Sequence, residues 1–114
     1  MDPADASTAC IGSLQLTGPD DSIIDGVGDS YHVSGIARRV RHGSTVAGVD
    51  VADVAGTTSF VHAVNAAFRR SWFLEAGGFD ESFICYAEDF DPGFRLALHS
   101  ASMIIPADAV VHHA

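Results

Sequence analysis

From Ser59 onward the apolar residues fall into short regular blocks; before it they are interrupted every few positions by glycine, aspartate or proline. Cys10 to Leu16 (CIGSLQL) alternates apolar and polar residues, the period of a strand with one wet face. A TGPDDS turn cluster follows, and Ser22 to His32 (SIIDGVGDSYH) reads as a short strand running into a loop. Residues 33–58 carry Arg38, Arg39, Arg41 and His42, then small residues without a clear period, so a loop or excursion is expected there. Ser59 to Phe68 (SFVHAVNAAF) has β-branched and aromatic residues at the spacing of a buried strand. Arg70 to Ala76 (RSWFLEA) predicts a short helix stopped by Gly77 and Gly78. Pro92 to His99 has the composition of a second helix, with Pro92 in the first turn, where its missing N–H costs nothing. Ser102 to Ile105 and Ala109 to His112 read as two short strands broken by a turn at Pro106. Residues 1–8 are small and polar and are expected to fray. The pattern is mixed α/β with no internal repeat.

Composition narrows the function classes. A chain of 114 residues makes one small domain, and 47% hydrophobic residues is typical of a globular protein. The net charge is −9, from 15 acidic and 6 basic residues, and all the basic ones are arginine. Phosphate backbones need a basic stripe, so a nucleic-acid surface is excluded as an expectation. Cys10 and Cys85 are far apart and form no CxxC, which predicts two reduced, partly buried thiols. The N-terminal MDPADAST lacks the basic and apolar regions of a signal peptide, and no apolar run approaches the roughly 20 residues of a membrane span. The expected location is cytoplasmic, with peripheral attachment at a membrane as the alternative.

The densest chemistry is Glu88, Asp89 and Asp91, directly before the second helix. An aspartate there can cap the free backbone N–H groups, and acids near a helix N-terminus are favoured by its dipole. Three acids within four residues exceed the needs of one cap, and Tyr86, Phe90 and Phe94 surround them with apolar bulk. A carboxylate in such surroundings gains basicity and can act as a general base on a hydroxyl. On the residues alone, capping and catalysis both stand.

Five pieces in order carry a family resemblance. They are SIIDGVGDSYHVSG, AAFRR, GGFDESFICYAEDFD, the PGFRL helix start, and IIPADAVVHH. Together, over residues 10–113, the chain resembles the acceptor-side half of a family 2 glycosyltransferase of GT-A type. The resemblance implies a partial GT-A fold, the C-terminal half with a mixed sheet and short helices, over residues 9–114 behind a disordered 1–8. It implies transfer of a sugar from a nucleotide-sugar donor to an acceptor hydroxyl with inversion, on a glycan or lipid-linked acceptor, in polysaccharide biosynthesis. Asp89 falls on the family's catalytic base, with Glu88 and Asp91 beside it, orienting the acceptor or setting the pKa of Asp89; Asp91, directly before Pro92, is also well placed to cap the helix. His112, with His113 as its neighbour, falls where some members place a ligand for Mn²⁺ or Mg²⁺. Trp72 reads as core packing first and as a sugar-stacking acceptor residue second. Phe79 and Asp80 would fix the loop under the acceptor, and Arg69 and Arg70 would face either a diphosphate or solvent. His32, His42, His62 and His99 have no site-forming spacing.

The chain also departs from the family. Nothing before Cys10 supplies the donor half with its Asp-x-Asp motif; Asp20-Asp21 and Asp50 to Asp53 lie in the wrong context. A truncated form is expected, completed by a complementing donor half or reduced to a non-catalytic remnant that keeps acceptor-side sugar affinity at most; the alternative from another class is a small metal-binding or interaction domain whose acids and histidines serve a partner. Loss of that half would expose a sheet edge and favour self-association. Pro92 stands where Leu is usual, and Ser100 where Gly is usual, the latter costing about 1 kcal/mol if the backbone needs a positive φ.

Overall fold

Gly12 and Ser13 divide into two what the alternation predicts as one strand: β1 is Thr8–Ile11 and β2 is Leu14–Thr17. The computed structural model describes residues 5–48, 50, 56–58, 60 and 65–114. Neither strand has a wet face. Ala9 and Cys10 are buried, and so are Ser13 and Gln15, the polar members of the apparent alternation. Each strand is central in its own sheet, with partners on both sides.

The first sheet is β6-β8-β1-β7, with β6 at Gly56–Thr58, β7 at Ala67–Phe68 and β8 at Ser102–Ile105. β1 runs parallel to β8 and antiparallel to β7. The second sheet is β3-β2-β9, with β3 at Ile23–Gly26 and β9 at Val110–His112. Here β2 pairs parallel with β9, placing Leu14 opposite Val110 and Leu16 opposite His112. The β1–β2 and β8–β9 segments therefore travel side by side and leave one sheet for the next together. Backbone bonds from Gly12 to Ile104 and from Leu14 to Ala109 stitch the crossing. The two short strands expected around Pro106 are β8 and β9.

A small hairpin stands apart from both sheets. β4, Asp29–Tyr31, pairs antiparallel with β5, Ala37–Arg39. The sequence gives β5 no apolar period, because it pairs on one side only and is largely exposed. A loop was the expectation there, and an exposed Ala-Arg-Arg edge has no alternation to reveal it. The predicted strand from Ser59 to Phe68 is described in part: Phe60 bridges to Asp29, Ala67–Phe68 forms β7, and residues 59 and 61–64 lie outside the described residues.

Helix α1 is Arg70–Glu75, and it ends as its sequence predicts. Gly77 at φ 92° and Gly78 at φ 70° return N–H bonds to Leu74 and Phe73, a Schellman end that satisfies two orphan carbonyls. Helix α2, Phe90–Leu98, begins two residues earlier than Pro92. It closes in the same way, with Ser100 and Ala101 bonded back to Ala97 and Leu96. Ser100 carries the left-handed φ of 59° that glycine would take without strain.

The core is three small apolar groups. Leu14, Ile24, Val27 and Ile105 pack where the two sheets meet. Ala9, Leu96 and Ala101 join α2 to β1, with Trp72 and Phe68 packed against them. Cys10 and Met103 form the third. Burial pushes the Cys10 thiol up to about 12, so this cysteine is an inert core residue. Cys85 is a free thiol too, but an exposed one, against the expectation of partial burial. The fraying expected for residues 1–8 fails for its last part. Thr8 is buried in β1, and Arg69 and Trp72 donate to the carbonyls of Thr8, Asp5 and Ala6.

Candidate functional site

The segment leading into α2 is wound against its preference. Tyr86 and Ala87 are both left-handed, at φ 65° and 64°, a conformation costing a side-chain-bearing residue about 1 kcal/mol or more. Two such residues in succession turn the chain so that Glu88, Asp89 and Asp91 meet the hairpin. Asp89 is the N-cap, its Oδ1 accepting from the Phe90 N–H at 3.0 Å. Asp91, the other aspartate that could cap by sequence, does something else. Its Oδ2 accepts from Arg95 Nη2 at 2.6 Å and Nε at 3.1 Å, one helical turn on. Arg95 also donates to the carbonyl oxygens of Ala76 and Gly78. One guanidinium thus locks the end of α1 to the start of α2.

Opposite these acids lies a cleft of about 1090 Å³. The hairpin supplies Asp29, Tyr31, Arg38 and Arg39 to it. The loop before α2 and the helix's first turns supply Phe83, Tyr86, Glu88, Asp89, Asp91 and Phe94. An aromatic group of Tyr31, Phe60 and Phe90 holds the two walls together, with ring centroids 5.3 to 6.5 Å apart. Gly93 permits that approach, since a Cβ there would lie 2.8 Å from the Phe60 ring. Two polar groups lining the cleft have no partner among the described residues. Glu88 Oε2 is buried without a hydrogen bond, and the Arg38 side chain makes no ion pair or hydrogen bond. Asp80, outside the cleft lining, accepts from the Ser82 N–H at 2.9 Å through its Oδ1 and so shapes its own loop. That backbone bond lowers the Asp80 pKa.

Behind Arg39 sits a network that sequence spacing did not reveal. Arg39 Nη1 donates to both Asp25 carboxylate oxygens at 3.0 Å. His113 Nδ1 lies 2.7 Å from Asp25 Oδ2, and His42 Nδ1 donates to the Asp25 carbonyl at 2.8 Å. Burial pushes the Asp25 pKa up, but the His113 hydrogen bond and the Arg39 charge outweigh it, so the net shift is downward. Gly26 lets the Arg39 stem cross β3; a Cβ there would lie 2.6 Å from Arg39 Cγ and Cδ. His42, expected to be merely structural, is part of this support. The legible signal was Asp25-Gly26 in the SIIDGVGDSYHVSG segment, which the resemblance singled out without a role.

Two sequence candidates lie elsewhere. Trp72 is outside the cleft lining; it packs beside Ala9 and Leu96 and donates Nε1 to the Ala6 carbonyl at 2.9 Å. That is the core role, and sugar stacking in the cleft is not open to it. His112 is on β9, its Nδ1 bound to Asp21, also outside the cleft lining. Arg69 turns away as well, onto β1 carbonyls. Among the described residues no group of three or more His, Cys, Asp or Glu is arranged to hold a metal ion. No helix among the described residues is long and apolar enough to cross a membrane.

Similarity to known proteins agrees with part of this picture. Over 46 residues, 40% of the chain, it is 46% identical to the N-acetylglucosaminyl-diphospho-decaprenol L-rhamnosyltransferase of Mycobacterium tuberculosis, in both the CDC 1551 and H37Rv strains. The chain aligns with 15% of the length of those relatives. No protein-family model and no solved structure matches it. A stretch of this chain is thus related in sequence to a glycosyltransferase.

Proposed function

We propose that this chain is the acceptor-side part of an inverting family 2 glycosyltransferase of GT-A type, working with a complementing donor-side half. The observation that carries the reading is the cleft itself. It gathers Glu88, Asp89 and Asp91 on one wall and faces them with a hairpin bearing Asp29, Arg38 and Arg39. The sequence relation to a rhamnosyltransferase supports the same reading. By that likeness the transferred sugar is L-rhamnose from a nucleotide donor, and the acceptor is a sugar carried on a lipid diphosphate.

The chemistry asked of this chain is acceptor binding and proton removal. Glu88 Oε2, an acceptor without a donor, takes a hydrogen bond from a sugar hydroxyl and orients it. Asp89 takes the proton of the attacking hydroxyl as its oxygen bonds to the anomeric carbon. The bond to the nucleotide diphosphate breaks on the opposite face, which inverts the configuration. The N-cap contact fixes the Asp89 carboxylate relative to α2. Asp91 is a positioning residue, since Arg95 occupies its Oδ2. A divalent cation is carried by the resemblance alone. His112 is engaged by Asp21 outside the cleft lining, so the residues at hand do not fit it and no step here runs through it.

The test is rhamnosyl transfer with the complementing half supplied, comparing wild type with Asp89→Asn and Glu88→Gln. Asp89→Asn is expected to lower the rate by roughly 10² to 10⁴ while acceptor binding stays within a few-fold. Glu88→Gln is expected to weaken acceptor binding as well. Transfer at an undiminished rate in Asp89→Asn contradicts the assignment of the base.

A further inference from the structure

Resting on the reading of the cleft as an acceptor site, we propose that it selects a sugar bearing a free ammonium group, which Glu88 and the aromatic rings around it receive. The charge of the lining comes first. Asp29, Glu88, Asp89 and Asp91 stand there against two arginines. One of these, Arg39, already holds Asp25, a residue outside the lining. The other, Arg38, pairs with Ser30 in the hairpin. Side chains alternate along a strand, so Arg38 sits on the face opposite Asp29, Tyr31 and Ala37. The positive end of α2 is answered by its own cap, Asp89. The cleft is left with a surplus of negative charge between apolar walls, which draws a cation and repels an anion.

Glu88 supplies a second, separate observation. Its Oε2 is buried and has no hydrogen-bond partner among the described residues. A carboxylate oxygen only accepts, so what it lacks is a donor. A sugar hydroxyl gives that bond. An ammonium gives it and also cancels the charge, which a hydroxyl leaves standing. The rings supply a third. Phe83, Tyr86 and Phe94 line the cleft and are 39%, 84% and 54% exposed, so they are open to a ligand. The face of an aromatic ring is negative and attracts an ammonium within about 6 Å of its centre. Neutral sugars also rest on open rings, but they gain nothing from the acids beside them. An N-acetyl group in the amine's place keeps a donor and loses the charge, and a carboxylate on the sugar meets repulsion.

Calorimetric titration of the whole chain with the methyl glycosides of glucosamine, N-acetylglucosamine and glucose tests this, at about pH 6, where the amine carries its proton. Wild type is expected to bind the glucosamine glycoside about tenfold more tightly than the other two. Glu88→Gln is expected to bring that ratio to about twofold or less. Phe94→Leu, which keeps bulk and removes the ring, is expected to lower it about threefold. Glu81→Gln, a change to an acid outside the lining, is expected to leave it as it was. Equal binding of all three glycosides by wild type, or weaker binding of the charged one, overturns the selection and leaves the acceptor reading standing. A ratio unchanged in Glu88→Gln or in Phe94→Leu overturns the assignment to those groups. Equal loss in Glu81→Gln and Glu88→Gln also overturns it, because the net charge of the chain is then the cause. Methylammonium bound as tightly as the glucosamine glycoside overturns the sugar class in favour of a general cation site. Failure of wild type to bind any of the glycosides overturns both readings.

Discussion

Ser100 shows how one side chain records a departure from the pattern around it. It sits at φ 59° in a Schellman end whose two backbone bonds are formed, so the cost is conformational only. Ser100→Gly is expected to raise stability by about 0.5 to 1 kcal/mol, read as a higher urea midpoint at unchanged slope. Asp25 makes a pH-dependent contribution. Its carboxyl holds its proton less tightly in the folded chain than in the unfolded one. Its stabilisation is therefore complete above the ordinary carboxylate value and is lost as pH falls through the lower folded value. Asp25→Asn is expected to cost about 2 kcal/mol at pH 7, between surface-pair and buried-pair magnitudes, and much less near pH 2. Denaturation curves of both proteins at the two pH values check this. Residue identity alone did not reveal these roles. Asp89 and Asp91 are both acids at a helix start, and only the turn through Tyr86 and Ala87 decides that the first caps and the second pairs with Arg95.

At the scale of elements, legibility followed local signals. Gly77 and Gly78 announced the end of α1, and Pro106 separated β8 from β9, because both depend on backbone preferences within a few residues. β1 and β2 were misread as one half-wet strand because burial of Ser13 and Gln15 is imposed by distant partners, β8 and β9 among them. No local pattern encodes that. Arg95 is where two elements depend on one side chain. Its removal frees the Ala76 and Gly78 carbonyls and the Asp91 carboxylate together. Arg95→Ala is expected to destabilise by about 2 kcal/mol. Hydrogen exchange should quicken at the α1–α2 junction more than in β1 or β8; uniform quickening contradicts a junction role.

For the whole molecule, charge and the cleft pull in different directions. A net charge of −9 on 114 residues makes self-repulsion general, so added salt is expected to raise the melting temperature. A melting temperature that falls between about 20 mM and 300 mM salt contradicts that expectation. The acidic wall of the cleft was legible because Glu88, Asp89 and Asp91 are adjacent in sequence. Its support was not. Arg39, His42 and His113 lie 14, 17 and 88 residues from Asp25; the pairing of β2 with β3 and β9 brings His113, and backbone bonds of Val40, Gly43 and Ser44 to Val27 and Ile24 bring Arg39 and His42. His112 is assigned by motif and Trp72 by its apolar neighbours, with sugar stacking as its second role, and the fold places both outside the cleft lining. The central claim is that this cleft receives an acceptor sugar. Its most direct test is chemical-shift mapping of the isotopically labelled chain titrated with the methyl glycoside of N-acetylglucosamine. Saturable shifts confined to residues 29–39 and 83–94, and weakened in Glu88→Gln, are the predicted result. Shifts centred on Trp72 or His112, or none at all, contradict the claim.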